Sequence, residues 1–240
     1  MIELAGYINP LFGATQQTLQ AALADLEIEQ QLKKSVSIIA TLESIQKTAS
    51  ARYEYVVLQQ ATDEGKHAIF LLSIGSYRNA YASLRLFFEL NLAAIDFSTN
   101  QRQFRNWTLG RTDISWARLS DSEEGVLSKN FCGLFQIDLS DHAKSYRNLA
   151  TSVYRECSEY VHGNPSANSK LPVFPEFKKD IVLDWCSKLD TMYLVCIFLF
   201  SVRYLTELSP EQLEKVKPDV LDQVSHLTAI RDYLGGAIGG

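Results

Sequence analysis

Arg155, Glu159 and His162 are the residues whose types and spacing best suit a chemical reaction. They stand in the segment SYRNLATSVYRECSEYVHGN (145–164), where apolar residues recur at helical spacing on one side and polar residues on the other. Arg155 and His162 are seven residues apart, two helical turns, so their side chains point almost the same way with Glu159 between them. Gly163 follows where a helix commonly ends on a glycine.

These side chains suit cleavage of RNA without a metal ion or cofactor. A guanidinium binds phosphate at any pH, and an imidazole gains and loses protons near neutrality. His162 is therefore predicted to act as general base or acid for attack by a ribose 2′-hydroxyl, while Arg155 neutralises the phosphorane. Glu159, Ser158 and Asn164 are predicted to be supporting polar groups.

The same residues have an ordinary structural interpretation, which the spacing leaves open. A histidine near a helix C-terminus interacts favourably with the helix dipole. An arginine and a glutamate four residues apart form a common surface pair. Neither observation requires a reaction.

A second polar region, QRQFRNWTLGRTDISWAR (101–118), combines arginines with aromatic residues. Arginines and stacking rings together are typical of surfaces that bind single-stranded nucleic acid or phosphate. The residues predicted to contact RNA are Arg102, Arg105, Arg111 and Trp107. The alternative is a connecting loop whose tryptophans anchor it and whose arginines are solvated.

The elements that must position these residues are helices. Only 12 Gly and 6 Pro occur among 240 residues, of which 46% are hydrophobic, and this favours an all-α protein with a packed core. The spacing predicts one long helix or two over 15–61, which either pack on their own chain or form a dimer seam. Further helices are predicted at 66–97, 120–135, 140–162, 179–208, 210–217 and 219–234, with Arg85 and Glu89 forming a partly buried ion pair.

Charge and cysteine content limit the function classes. A net charge of −5 argues against binding long nucleic acid through overall charge, although a local basic site is compatible with it. Cys132, Cys157, Cys186 and Cys196 have no metal-ligand spacing and are predicted to be buried free thiols. The apolar segment 192–202 is too short to span a membrane, and the first residues lack the features of a secretory signal, so we expect a cytoplasmic protein without membrane contact.

The segment from Arg155 to His162 resembles the R-x4–6-H motif of the HEPN superfamily. The wider pattern is similar to uncharacterised bacterial HEPN-like and abortive-infection-like proteins, through SYRNAYASLRLFFEL (76–90), WTLG (107–110) and YRECSEYVHGN (154–164). The similarity covers roughly residues 66–205. Active members usually carry Asn, Asp or His directly after the arginine, where this sequence has Glu156.

This resemblance implies an all-α, HEPN-like helical bundle that dimerises, with the two R…H helices meeting across a shared cleft. Many members are metal-independent RNases of toxin–antitoxin, CRISPR-linked or anti-phage systems, and others only bind nucleotides or partners. On this basis Arg155 and His162 take the catalytic roles. We expect an N-terminal helical arm (1–62), the HEPN-like bundle (63–234) and a flexible tail (235–240).

Two functions follow as expectations. The first is a metal-independent endoribonuclease, a toxin or effector of a bacterial anti-phage defence or toxin–antitoxin system, that acts as a homodimer on an RNA substrate. The second is a non-catalytic interaction or sensor subunit of such a system that binds a nucleotide, an antitoxin or another defence protein. The spacing of Arg155 and His162 favours the first, whereas Glu156 and the acidic balance favour the second.

Overall fold

The protein is an all-α helical bundle, as the sequence predicts. The structure, a computed structural model, describes residues 3–235 and contains no β-strand in that range. The α-helices are α1 (Leu4–Ala24), α2 (Leu26–Gln46), α3 (Tyr55–Ser73), α4 (Tyr77–Phe97), α5 (Gln101–Thr108), α6 (Trp116–Leu119), α7 (Lys129–Phe135), α8 (Ala143–Val161), α9 (Pro165–Asn168), α10 (Lys179–Tyr204), α11 (Pro210–Val224) and α12 (Thr228–Tyr233). Short 3₁₀ segments lie at Lys47–Ala49, Ile137–His142 and Leu205–Glu207. Apart from its first residue, the predicted tail lies outside the described residues.

Helix α10 runs through the centre and packs against α2, α4, α8 and α11. Almost every residue of its segment 192–202 is buried, which confirms the predicted core helix. By length and composition alone α10 could cross a membrane, but 78% of its most apolar stretch is buried inside the protein. All four cysteines are buried and free, as predicted.

The helix predicted over 66–97 is wrong, because the chain forms two helices there. Gly75 takes a φ of +77°, a conformation that glycine adopts without strain. The amide of Ser76 donates to the carbonyl of Leu71 at 2.9 Å, and that of Gly75 to Leu72 at 3.1 Å. These two bonds end α3 and turn the chain back, so that α3 and α4 pack as an antiparallel pair.

The predicted amphipathic region 15–61 contains a break at Asp25. Its carboxylate accepts hydrogen bonds from the amides of Glu27 and Ile28, which caps the start of α2. Helix α2 then packs into the same core as α3 and α10, on its own chain. The predicted boundary between residues 62 and 63 falls inside α3.

Two other predicted helices have different limits. Residues 120–128 form turns, where the carboxylate of Asp121 accepts from the amides of Glu123 and Glu124, and α7 begins only at Lys129. Pro218 does not divide the helix that starts at Pro210. The buried stripe of Val216, Val220 and Val224 continues through it, so packing offsets the one hydrogen bond that a proline removes.

Candidate functional site

The buried face of α8 is fixed by three stacked aromatic pairs. The rings of Tyr146 and Phe198 have centroids 3.8 Å apart, and those of Tyr160 and Tyr81 are also 3.8 Å apart. Between them along the helix, Tyr154 stacks on Trp116 at 3.7 Å. Contacts at both ends and in the middle leave α8 no freedom to rotate about its axis, so the direction of its outer face is set by packing.

The predicted pair of Arg85 and Glu89 belongs to this support. Their charged groups lie 3.4 Å apart, and both side chains are mostly buried. The hydroxyl of Tyr154 donates to Glu89 at 2.7 Å and accepts from Arg85 at 2.5 Å. The ion pair therefore helps to hold α8 against α4.

Lys188 of α10 forms a salt bridge with Glu156 of α8. Its ammonium group lies 2.9 Å from Glu156 and 2.7 Å from Asp184, and the lysine side chain is only 9% exposed. Burial alone would lower the pKa of Lys188, but its hydrogen bonds to the two carboxylates raise it above the ordinary value. Lys188 thus shares its single positive charge between Glu156 and Asp184, and Glu156 forms no ion pair with Arg155 within the described residues.

Arg155 and His162 both lie on the exposed face of α8, in the register that the sequence predicts. Seven residues of helix separate them, about 10 Å along the axis. His162 is the capping residue at the C-terminus, and Gly163 follows with a φ of +66°. The amide of Asn164 donates to the carbonyl of Glu159 at 3.0 Å, so the glycine cap confirms the predicted end of the helix.

The three supporting residues are placed differently. Glu159 is half-buried on the same face, between Arg155 and His162. The hydroxyl of Ser158 donates to the carbonyl of Tyr154 at 2.8 Å, so it is engaged within the helix. Asn164 caps α9 by accepting from the amide and hydroxyl of Ser166. Within the described residues the side chain of Glu159 makes no hydrogen bond or ion pair with Arg155 or His162, and the other two residues are engaged in local hydrogen bonds.

Cations without a carboxylate partner fall on two surfaces of the protein. Most lysines and arginines in residues 3–235 lie within 4.0 Å of an acidic group. Those outside such pairs are Arg102, Arg105 and Arg111 on one surface, and Arg78, Lys144, Arg147, Arg155 and Lys170 along α8 and its C-terminal end. The described part of this acidic protein therefore carries two local groups of cations that have no acidic partner within 4.0 Å.

Lys144, Arg147 and Arg78 are functional candidates that the sequence interpretation missed. Lys144 and Arg155 are within about 40° of one another and of His162 around the helix, with Arg147 at the edge of the same face. This periodicity is present in the sequence and could have been extended backwards from Arg155. Arg78 could not have been found, since only the fold brings its guanidinium to the carbonyl of Tyr160, 3.1 Å away.

The arginine-rich segment has an anchored tryptophan and exposed arginines. Trp107 is half-buried, with its ring 5.5 Å from Phe97 and 6.4 Å from Phe104. Arg102, Arg105 and Arg111 are exposed around it. The tryptophan therefore holds α5 to the bundle, while the arginines remain free to bind an anion.

The second half of the segment returns to the bundle. Arg118 pairs with Asp96 at 2.6 Å, and Trp116 makes the stack on Tyr154 already described. The segment thus contacts α8 through Trp116, but the predicted RNA-binding residues are not part of that contact.

A groove of about 600 Å³ opens beside the C-terminal end of α8. It lies between the start of α4, including Arg78, and the loop 168–175. Neither Arg155 nor His162 lines it; both face solvent. Within residues 3–235, no three His, Cys, Asp or Glu side chains come together as metal ligands.

Comparison of the chain with protein-family models, curated proteins and solved structures finds no match. The resemblance to the HEPN superfamily stays a prediction.

Proposed function

We propose that this protein is a metal-independent endoribonuclease, an effector of a bacterial anti-phage defence or toxin–antitoxin system, and that the exposed face of α8 binds RNA. The observation that carries the proposal is the row of Lys144, Arg147 and Arg155, none in an ion pair, on the helix face that also presents His162. Unpaired cations on a rigid element attract a phosphodiester backbone. The assignment to a defence system rests on the HEPN resemblance alone.

The arrangement supports a simple transesterification. His162 takes the proton of a ribose 2′-hydroxyl, and the resulting oxygen attacks the adjacent phosphorus. The bond to the 5′-oxygen of the next nucleotide breaks, that oxygen takes a proton from water, and a 2′,3′-cyclic phosphate remains. Arg155 stabilises the negative charge on the phosphorane oxygens. Glu159, which stands between them on the helix, is proposed to orient either side chain when RNA binds.

Glu156 fits this proposal because of its partners. A free carboxylate beside Arg155 would weaken phosphate binding by about 1 kcal/mol or more at close range. Here Lys188 and the hydroxyl of Ser152, each 2.9 Å away, both bind the carboxylate of Glu156. The charge next to the arginine is therefore offset in part, since Lys188 also pairs with Asp184.

Cleavage of a labelled single-stranded RNA in EDTA tests the proposal. We expect His162→Ala to lower the cleavage rate by about 10²–10⁴-fold, which is typical for loss of a general acid or base. His142→Ala is the matched control, because His142 is an exposed histidine at the opposite end of the same helix, and it should leave the rate unchanged. Equal cleavage by wild type and His162→Ala, or no cleavage by wild type, would contradict the proposed nuclease activity.

A non-catalytic interaction subunit is the second candidate function. It is favoured by the open position of Arg155 and His162, and by the absence, within the described residues, of a hydrogen bond that orients the imidazole. In that case the wild type binds single-stranded RNA, a nucleotide or a partner protein without cleaving RNA. Binding that persists in EDTA with no cyclic-phosphate product identifies this alternative.

A further inference from the structure

A cleft of about 270 Å³ opens where α2, α10 and α11 meet, and none of the residues of the candidate site lines it. Each of the three helices borders the cleft with residues that recur at helical spacing, so one face of each helix forms a wall. The lining residues are Lys34, Ser37, Ile38 and Thr41 of α2, Asp190 and Tyr193 of α10, and Asp219, Asp222 and Gln223 of α11. Only the fold assembles this cleft, because its walls lie far apart in the chain.

The carboxylates of the cleft outnumber its cations. Asp190 pairs with Lys34 at 2.5 Å, whereas Asp219 and Asp222 form no ion pair within residues 3–235. Burial and the charge of Asp222 raise the pKa of Asp219 above its ordinary value, so the negative charge of Asp219 destabilises the free protein. The cleft therefore holds two negative charges that no cation of the described chain balances.

Tyr193 distinguishes this cleft from an ordinary acidic patch. The residue is only 7% exposed, yet its hydroxyl makes no hydrogen bond with any described residue and is not sealed from solvent. Burial and the charges of Asp219 and Asp222 raise the pKa of Tyr193, which places its hydroxyl on the side of these carboxylates. The buried hydroxyls of Tyr81 and Tyr204, by contrast, each donate to a carboxylate. Because a buried hydroxyl usually has a partner, that of Tyr193 is open to a group that enters the cleft.

The lining suits a small organic cation better than a metal ion. The oxygens of Asp219, Asp222 and Tyr193 accept hydrogen bonds from ammonium groups, while Ile38 and the ring of Tyr193 give the cleft an apolar wall for a hydrocarbon chain. Within residues 3–235, no three His, Cys, Asp or Glu side chains are placed to ligate a metal. The volume lies just below the ~300 Å³ at which pockets for larger ligands begin, so the ligand is small.

We propose that this cleft binds a small aliphatic diamine, whose two ammonium groups balance the charges of Asp219 and Asp222 and donate to the hydroxyl oxygen of Tyr193. Its hydrocarbon chain lies against Ile38 and the ring of Tyr193. Two ammonium groups match the two unbalanced carboxylates, and charge-assisted hydrogen bonds are the strong ones. The bound diamine contacts three helices, so it stabilises the fold as well as filling the cleft.

Isothermal titration calorimetry of the full chain with putrescine, a four-carbon diamine, tests the proposal in an amine-free buffer. Butylamine and Mg²⁺ are the matched probes. Butylamine keeps the hydrocarbon chain but has one ammonium group, and Mg²⁺ keeps the double charge but has no chain. We expect one putrescine to bind per chain, and expect each of the other probes to bind at least about tenfold more weakly.

Three substitutions test the location of the site. Asp219→Asn and Asp222→Asn should each raise the dissociation constant of putrescine at least about tenfold, and Tyr193→Phe at least about threefold. Glu214→Gln is the control, because it removes one negative charge from the same helix, its side chain is 75% exposed and it does not line the cleft. Without ligand, Asp219→Asn should raise the melting temperature and Tyr193→Phe should leave it unchanged, so weaker binding does not reflect unfolding.

Three results would overturn the proposal. The first is putrescine binding that does not saturate. The second is equal weakening by Glu214→Gln and Asp219→Asn, since this result shows attraction by the net charge of −5 rather than by the cleft. The third is binding of Mg²⁺ or butylamine as tight as that of putrescine, which shows that the second ammonium group or the chain contributes nothing. All of these measurements are made without RNA, so they are independent of the proposed nuclease activity.

Discussion

Helix α8 and the segment 101–111 carry the same kind of side chain on very different supports. The cations of α8 stand on a 19-residue helix held by three stacked ring pairs and the buried ammonium of Lys188. Those of the segment stand on the eight-residue α5 and the turn after it, held by Phe104 and Trp107. Helix α8 carries His162 at its own C-terminal end, whereas the segment contains no histidine and only has His67 of α3 in the pocket beside Trp107.

The difference indicates that holding catalytic groups in place and attracting RNA are separate roles. Catalysis needs groups held in a fixed geometry, whereas attraction of a polyanion needs only accessible positive charge. We therefore expect α8 to carry both binding and chemistry and the segment 101–111 to add binding alone. Three paired experiments sharpen or break this contrast.

The largest expected effect is on stability, from truncating one anchoring ring in each region. Tyr160→Ala removes a buried ring that stacks on Tyr81, and should lower the free energy of unfolding by about 3 kcal/mol. Trp107→Ala removes a half-buried ring, so we expect a loss of about 1–2 kcal/mol. Urea denaturation measures both values. Equal losses would show that the segment is held as firmly as α8.

The next effect is on RNA binding. Replacing Lys144, Arg147 and Arg155 together by alanine should reduce the salt slope of single-stranded RNA binding by about 2, because each phosphate contact contributes about 0.7. Replacing Arg102, Arg105 and Arg111 should reduce the slope similarly but leave the cleavage rate at saturating RNA unchanged. Fluorescence anisotropy at several salt concentrations and single-turnover cleavage measure the two quantities. Loss of saturated cleavage in the second variant would show that the segment takes part in chemistry.

The smallest expected effect is on stability, from replacing the glycines that follow the ends of α5 and α8. Gly110 and Gly163 both have a φ of +66°. A Cβ added at Gly110 would have no neighbouring atom within 4 Å, and one added at Gly163 would be in ordinary van der Waals contact with Arg78. Alanine at either position should therefore cost about 1 kcal/mol through backbone strain alone. Only Gly163→Ala should also slow cleavage, because it shifts the adjacent His162. Thermal unfolding and cleavage rates check this, and an unchanged rate would count against His162 as a catalytic group.

Much of the candidate site was predictable because it is local. The spacing of Arg155, Glu159 and His162 follows from helical period, and Gly163 marks the end of α8. The division of 66–97 was missed because Gly75 stands in an otherwise apolar run, and a single glycine is tolerated in many helices. Pro218 was over-interpreted, because tertiary packing of neighbouring valines outweighs the lost hydrogen bond.

The sequence by itself determined the helical fold class, the buried centre of α10 and the faces of α8, since each depends on the periodicity of a single segment. The tertiary structure alone decided which charges are paired and which have no acidic partner within 4.0 Å. Lys188 reaches Glu156 from 32 positions along the chain, and Arg78 reaches Tyr160 from 82. It also left residues 4–10 of α1 exposed to solvent. Such pairings depend on distances between segments, and the order of residues within a segment does not encode them.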